Sequence, residues 1–343
     1  MTSYVGLDVS LKSTSICVVD ADGMVIVEQS VDSDPDSIAD FVQSNARGVQ
    51  RVGLESGPTS VWLWRELAQR GLPVTRIDAR HARAALSMQI NKSDRNDAAG
   101  IARIMQTGWY REVQIKSPVS HATRALLNTR ALLVKIRRDL ENQVRGLLKV
   151  EGLVIGRAKD GVFSSRVRAL LGERPDMALI IEPLMSAREN TRQQLGLLER
   201  RVRQLASDTP LTRSLMTVPG VGPVTALAFM ATIDDPGRFR RSRSVGAYLG
   251  LTPRRHASGE VDWSGRISKC GDTLVRTYLF EAAGVLLTRV QKWCALKAWG
   301  LRIAKRSGMK KARTAVARKL AVILHRMWRD GTEFQWKTAT SAC

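Results

Sequence analysis

The apolar positions of the first hundred residues fall into two rhythms. "YVGLDVS", "TSICVVD" and "MVIVEQS" are short β-rich runs separated by polar or glycine-containing turns, and "DADG" between the second and third is a hairpin signal. Three consecutive antiparallel strands are expected. After them come a helix-like stretch near 36–46, the apolar "RVGLES", a helix over "TSVWLWRELAQRG", a strand in "LPVTRIDA", and helical sequence after His81 that carries "SDRNDAAGIARIMQ". Strands alternating with helices predict a mixed sheet with parallel members.

From about residue 118 the period lengthens. Leu126, Leu133, Leu140 and Leu147 recur every seven residues, with Ile136 and Val144 on nearly the same face, as in a coiled-coil seam. Arg124, Arg130, Arg137, Arg138 and Arg145 decorate its outer faces. A second stripe, Ile181, Leu184, Leu195, Leu198, Val202 and Leu205, predicts a partner helix, either in an antiparallel hairpin or joined to another subunit. In "LMTVPGVGPVTALAFMATI" the run Pro219-Gly220-Val221-Gly222-Pro223 cannot continue a helix and leads into an apolar one. Two readings are open: a helix-hairpin-helix turn in which Gly220 and Gly222 expose backbone N–H groups to a phosphate, or a plain tight turn between core helices. The piece that starts at "RSVGAYLGLTPRRHASGEVDWSGRISKCGD" is expected to begin as a Gly- and Ser-rich loop region and to finish in helices. The expected divisions are 1–117, 118–210 and 211–343.

Charge sharpens this outline. The 343 residues carry 54 Lys and Arg against 32 Asp and Glu, a net +22, which calls for a polyanionic partner. Residues 1–60 run the other way, with nine acids against three bases, so binding and part of the chemistry are expected in different regions. Between Arg302 and Lys319, eight cations including Lys305, Arg306, Lys310, Lys311 and Arg313 meet no acid; the expectation is phosphate contact rather than a merely solvated face. Cys17, Cys270, Cys294 and Cys343 form no CxxC pair, which argues against a zinc site or a disulfide framework. Neither a membrane span nor a secretory signal is legible, and a cytoplasmic, nucleoid-associated location is expected.

Four acids stand out in this basic chain. Asp8 ends the first strand, Glu55 ends another, and Asp94 and Asp97 sit three apart at the start of a helix, on one face. Clustered carboxylates suit hard divalent cations, and two Mg²⁺ ions can serve phosphoryl transfer. Singly, each acid is more often a cap, and Ser93 stands where a cap would sit.

"YVGLDVSLKSTSICVVD", "GLESGPTS", "NKSDRNDAAGIARI", "VPGVGPVTALAFMATI", "YLGLTPRRHASGE" and "GRISKCGDTLVRTYL" together resemble the DEDD transposases of the insertion sequence 110 family, recombinases related to the Piv DNA invertases. The resemblance implies a RuvC-like, RNase H-type N-terminal domain, a coiled-coil connector and a mainly helical C-terminal transposase domain. It carries a Mg²⁺ (or Mn²⁺) tetrad onto Asp8, Glu55, Asp94 and Asp97. It raises Ser258 above Ser264 and Ser268 as a nucleophile; many relatives have two serines before that glycine, where this chain has Ala257-Ser258-Gly259. Arg254, Arg255, Arg266 and Lys269 lie nearby as candidate phosphate ligands, with surface charge as their alternative role. Further implied are donor and target DNA as substrates, a structured bridge RNA as guide, and a homodimer or homotetramer. The rival readings are a Piv-like invertase without a guide, a RuvC-like junction nuclease that needs no serine, and a non-catalytic nucleic-acid scaffold in which the four acids are caps. With aromatics at 5%, Trp62, Trp64, Trp293, Trp299 and Trp328 are expected in cores or junctions rather than in a stacking platform.

Overall fold

The computed structural model describes residues 2–87, 93–158, 160–172 and 174–336. The chain divides into two compact units, Met1–Ile115 and Lys116–Cys343.

The first unit is built on a five-stranded sheet. Its elements are β1 (Ser3–Val9), β2 (Ser13–Val19), β3 (Val25–Asp32), α1 (Pro35–Asn45), β4 (Val49–Glu55), α2 (Ser60–Gln69), β5 (Val74–Ile77), α3 (Ala79–Leu86) and α4 (Asp94–Thr107). The strand order is β3-β2-β1-β4-β5. β1 runs antiparallel to β2 and parallel to β4, so it is central. The three opening antiparallel strands and the mixed sheet are as the sequence predicts. The helical sequence after His81 forms two helices, α3 and α4; residues 88–92, with "NK" of "NKSDRNDAAG", lie outside the described residues.

Alternation along β1 explains the layering. Val5 and Leu7, with Ile16, Val18, Val52 and Leu54 of the neighbouring strands, are buried against Ile38 and Val42 of α1 and Leu63 and Leu67 of α2. Tyr4, Gly6 and Asp8 therefore point to the other face, where Tyr4, Cys17 and Val19 meet Ala98, Ala99 and Ala102 of α4. Helix and sheet approach so closely that a Cβ on Gly6 would stand 2.1 Å from the Ala98 carbonyl oxygen, and one on Gly53 2.6 Å from Met105 Cγ. Only glycine permits this contact. The helix runs antiparallel to β1. Gln106 near its end donates to the Ala21 carbonyl at 2.8 Å, in the turn at the start-of-β1 edge, and Arg51 donates to the Met105 carbonyl at 2.9 Å. Its first turn is thereby delivered to the C-terminal ends of β1 and β4.

The second unit contains α5 (Pro118–Val150), α6 (Asp160–Leu171), α7 (Pro175–Asp208), α8 (Pro210–Met216), α9 (Pro223–Ile233), α10 (Ser244–Tyr248), β6 (Pro253–Ser258), β7 (Val261–Ile267), α11 (Thr273–Thr288), α12 (Ala295–Ser307) and α13 (Met309–Asp330). The long helices α5 and α7 are antiparallel partners within one chain: Arg130 pairs with Glu199 at 3.0 Å and Glu141 with Arg188 at 2.9 Å. On α7 the buried positions are Ile181, Met185, Arg188, Leu195, Val202 and Ala206, a three-four spacing that admits a cation to the seam. Arg188 is 1% exposed, lies over the Phe163 ring and also donates to Ser164 Oγ. On α5 the fully buried residues are Ser120, Thr123, Leu127, Val144 and Leu148. The expected leucines at 126, 133, 140 and 147 are half-buried, and Leu132 and Ile136 are exposed. The heptad thus names the helix correctly, and Val144 of its stripe is buried, but towards both ends the innermost position is the next residue, Leu127 beside Leu126 and Leu148 beside Leu147.

One core of this unit joins α9, α11 and α13 with Leu127, Val202 and Ala206; a smaller one closes α5, α6 and α7 at their far end. His325 is buried in the first, with Ser242 Oγ and the Pro236 carbonyl each 3.0 Å from a ring nitrogen. Burial holds its pKa below the usual histidine range. Between Pro253 and Ile267 the expected loop is a β-hairpin, β6–β7. A two-residue turn at Gly259-Glu260, with φ +55° at the glycine, joins its strands. Among the described residues no helix is long and apolar enough to cross a membrane.

Candidate active site

The register of the sheet places the first two acids. Gly6 faces Gly53 and Leu7 faces Leu54 in the parallel β1–β4 pair, so Asp8 and Glu55 stand next to one another at adjoining strand ends. Each lies two residues beyond a glycine that touches α4, and so shares the α4 face. Asp94 and Asp97 occupy the first turn of α4. The cap is Ser93, whose hydroxyl accepts from the Asn96 amide at 3.2 Å, so neither aspartate is used as the cap. Position at a helix N-terminus favours their negative charge. All four carboxylates are brought to one end and one face of the sheet. Among the described residues no three His, Cys, Asp or Glu side chains close into a group that could hold a metal ion. The donor set itself, carboxylate oxygen throughout, has the chemistry that a hard divalent cation takes.

Beside the acids lies a row that the sequence did not announce. Asp8 faces Ser15 across β1–β2, and Ser15 faces Ser30 across β2–β3. Ser15 and Ser30, with Glu28, Gln29 and Arg95, line a cavity of about 300 Å³. Arg95, between the two helix aspartates, reaches back to an ion pair with Glu28. Glu28 also accepts from the thiol of Cys17 at 3.6 Å. Burial first, then the Glu28 charge, pushes Cys17 up to about 12, so this thiol stays protonated and inert. The signal available was the alternation of Ser13, Ser15 and Cys17, but only strand pairing shows which residues share its face.

In the second unit Ser258 ends β6, exposed, at the tip of the hairpin and opposite Val261. The base of the hairpin is clamped: Ser268 donates to the Thr252 carbonyl at 2.9 Å and Lys269 to that of Gly250 at 3.1 Å. Lys269 is exposed at φ +56°, a conformation that costs a non-glycine residue energy. Ser264 lies within β7 opposite Arg255, and Ser268 follows the strand. Arg255 makes two hydrogen bonds to Asp262, at 2.8 and 2.6 Å, which hold that carboxyl below its ordinary range. Arg255 therefore braces the hairpin. Among the described residues Arg254 donates to the Ser268 carbonyl alone, at 3.5 Å, and Arg266 is exposed.

The remaining sequence candidates separate into packers and free cations. Gly220, at φ +89°, lies against α11, where a Cβ would meet the Ala282 carbonyl oxygen at 2.4 Å; close packing accounts for it. Gly222 is the N-cap of α9 and its Cβ direction is open. Arg313 is half-buried, its guanidinium over the Phe280 ring at 5.7 Å and its Nε without a hydrogen-bond partner among the described residues. Arg302, Lys305, Arg306, Lys310 and Lys311, at the α12–α13 corner, are exposed and have no ion pair among the described residues. Trp64 is held in its unit by a hydrogen bond to the Val74 carbonyl, and Trp299 and Trp328 border the main helical core. Trp62 and Trp293 are about half exposed, so of the two expected settings neither lies in a core.

A mixed sheet in this order, with acids at adjoining strand ends and in the first turn of the helix that covers them, is consistent with an RNase H-like domain of the DEDD type. Sequence comparison extends this to a family. A transposase profile of the DEDD, IS110 kind matches residues 5–151, and the profile "Transposase IS116/IS110/IS902 family" matches 212–299. The transposase for insertion sequence element IS1111A of Coxiella burnetii is 32% identical over 326 residues, spanning 93% of this chain and 87% of that protein. A probable family 20 transposase of Pseudomonas aeruginosa is 29% identical, spanning 80% of this chain and 82% of its own. The pilin gene-inverting protein of Moraxella lacunata is 27% identical over 143 residues, 40% of this chain and 44% of that protein. The chain belongs to the IS110 family of transposases. Its reaction class is DNA transposition and recombination, and the family is one in which dependence on a divalent metal is usual.

Proposed function

We propose that this transposase cuts and rejoins DNA through a phosphoserine intermediate, with Ser258 as nucleophile and with Asp8, Glu55, Asp94 and Asp97 as holders of Mg²⁺ or Mn²⁺. The observation that carries the reading is the convergence of four carboxylates, from two strand ends and one helix start, on one face and one end of the sheet. A divalent cation held there would supply neutralisation of the phosphate charge. The chain's own residues do the rest. Ser258 Oγ bonds to phosphorus, its proton passes to solvent or a neighbouring base, and one DNA oxygen leaves and takes up a proton. The phosphodiester energy is kept in the serine link for rejoining. Exposure at a hairpin tip supports this role, because it leaves the hydroxyl open to an incoming strand.

The residues 1–117, 118–210 and 211–343 are assigned to the acidic catalytic domain, a helical connector and the serine domain. The exposed cations at the α12–α13 corner bind nucleic-acid backbone without reading sequence, which suits a protein whose specificity comes from base pairing with a bridge RNA. A dimer or tetramer is the proposed working form, in the cytoplasm. The similarity to a pilin gene-inverting protein favours one second reading, an invertase of the same chemistry that needs no guide.

The test is strand cleavage and covalent protein–DNA adduct measured with Ser258→Ala and Asp94→Ala. The expected result is loss of the adduct in both, and its loss in the wild type after chelation of divalent metal. Cleavage that survives in Ser258→Ala rejects the phosphoserine. RNA of discrete length that copurifies with the chain supports the guided recombinase; full activity on DNA after ribonuclease treatment supports the invertase.

A further inference from the structure

We propose that His256 and Trp263 form a seat for one DNA base beside the broken bond, and so act as positioning residues for Ser258; this rests on the assignment of Ser258 above. Residues 253–264 of the hairpin are all exposed, and a two-stranded ribbon of this kind has little stability of its own in water. Yet it carries a stacked aromatic pair. His256 faces Trp263 in register, with ring centroids 5.7 Å apart and planes at 9°. Trp263 is 55% exposed and Val261 54%, large apolar surface that a free ribbon has no reason to display.

Alternation assigns the faces. His256 and Ser258 share one side of β6, and their partners Trp263 and Val261 share the same side of β7. The opposite side is occupied by the Arg255–Asp262 brace. On the serine side the strand is bare where the indole lies, since a Cβ on Gly265 would stand 3.0 Å from Trp263 Cζ3. The indole is thus backed by backbone and by imidazole, with the rest of its surface open. The register shift between the Pro253–Ile267 and Arg255–Ser264 pairs sets Gly265 and Arg266 together opposite Arg254, and both arginines are exposed without an ion pair among the described residues, so two cations stand in the ribbon segment next to the π-face. A base stacked on an aromatic with its phosphate on arginine is the chemistry this matches. The occupant is the DNA strand that Ser258 attacks, since the seat and the hydroxyl share one face of one hairpin.

The test uses the full chain with its copurified nucleic acid, on DNA carrying the element's own ends, after the wild-type adduct has mapped the broken bond. 2-Aminopurine is placed in turn at nucleotides flanking that bond. Binding by Ser258→Ala protein should quench its fluorescence at one position, and adding Trp263→Ala should abolish the quench while Trp263→Phe restores it. Adduct yield should fall about five- to a hundredfold in Trp263→Ala, the range that one base–aromatic stack supplies. An abasic nucleotide at the quenched position should bring the wild type down to the Trp263→Ala level and leave that variant unchanged. Absence of quenching at every position, or equal damage by the abasic nucleotide in wild type and Trp263→Ala, overturns the seat. Because quenching is read in a protein without Ser258, a wrong nucleophile and a wrong seat give different results: the first leaves adduct in Ser258→Ala, the second leaves fluorescence unmoved.

Discussion

The two units solve opposite physical problems. Met1–Ile115 holds 12 Lys and Arg against 14 Asp and Glu, a net −2, whereas Lys116–Cys343 holds 42 against 18, a net +24. In the first, position is everything: α4 is pressed onto the sheet through Gly6 and Gly53 so that four acids arrive at one end of the sheet, on one face. In the second, cations are many and spread, and those at the α12–α13 corner are exposed with no acidic partner among the described residues. The lesson is that a site made of few groups tolerates little movement, while a field made of many groups tolerates much.

The contrast can be broken most severely at the helix–sheet contact. Gly6→Val forces side chain against the Ala98 backbone, which cannot swing away as a flexible side chain could. Unit one should lose more than about 3 kcal/mol, read by urea denaturation, with adduct formation lost as α4 shifts. A variant of wild-type stability would mean that the helix does not set the acids. Next is Arg188→Ala, which removes the cation buried in the α5–α7 seam. Its cost should be about 3 kcal/mol, seen as a lower melting temperature, although Arg145 also lies 3.8 Å from Glu141 and offsets part of the loss.

The basic corner should behave in the other way. Replacing Lys305, Arg306, Lys310 and Lys311 together by Gln should leave stability within about 0.5 kcal/mol. It should flatten the salt dependence of DNA binding by up to about four phosphate contacts. An unchanged slope would remove this corner from the nucleic-acid surface. Within the Pro219–Pro223 turn, Gly220→Ala should destabilise and Gly222→Ala should not, since only the first meets backbone.

The smallest effect is titration of His325. Its folded pKa lies below the ordinary histidine value, mainly through burial, so the unfolded chain binds the proton more readily. Stability of the second unit should be fully present above the ordinary value near 6.5 and fall as pH drops through it. A melting temperature that is flat from pH 7.5 to about 5.5 in wild type, compared with His325→Gln, would sink this.

Much of the fold was legible because it is local. Two-residue alternation predicts β1 to β3, the seven-residue leucine repeat predicts a long helix where α5 lies, and Ser93 stands where the cap of α4 forms. The hairpin β6–β7 was missed although "ASGEVDW" contains a two-residue turn signal, because its strands have no buried face to generate an apolar rhythm. Trp263 belongs to the same unpatterned stretch. Charge points Arg313 to phosphate and the Pro-Gly motif leaves Gly220 between phosphate and tight turn, yet Arg313 is packed on Phe280 and Gly220 under α11.

The sequence by itself determined which segments become strand or helix and which acids and cations exist, since periodicity and capping act within a few residues of the backbone. Tertiary structure alone decided which face each of them occupies: the lay of α4 across Gly6 and Gly53, the union of α5 with α7, and the side of the ribbon that Ser258 shares with Trp263. Those choices depend on strand register and on close packing between distant segments, and a one-residue slip would send every side chain of a strand to the opposite face.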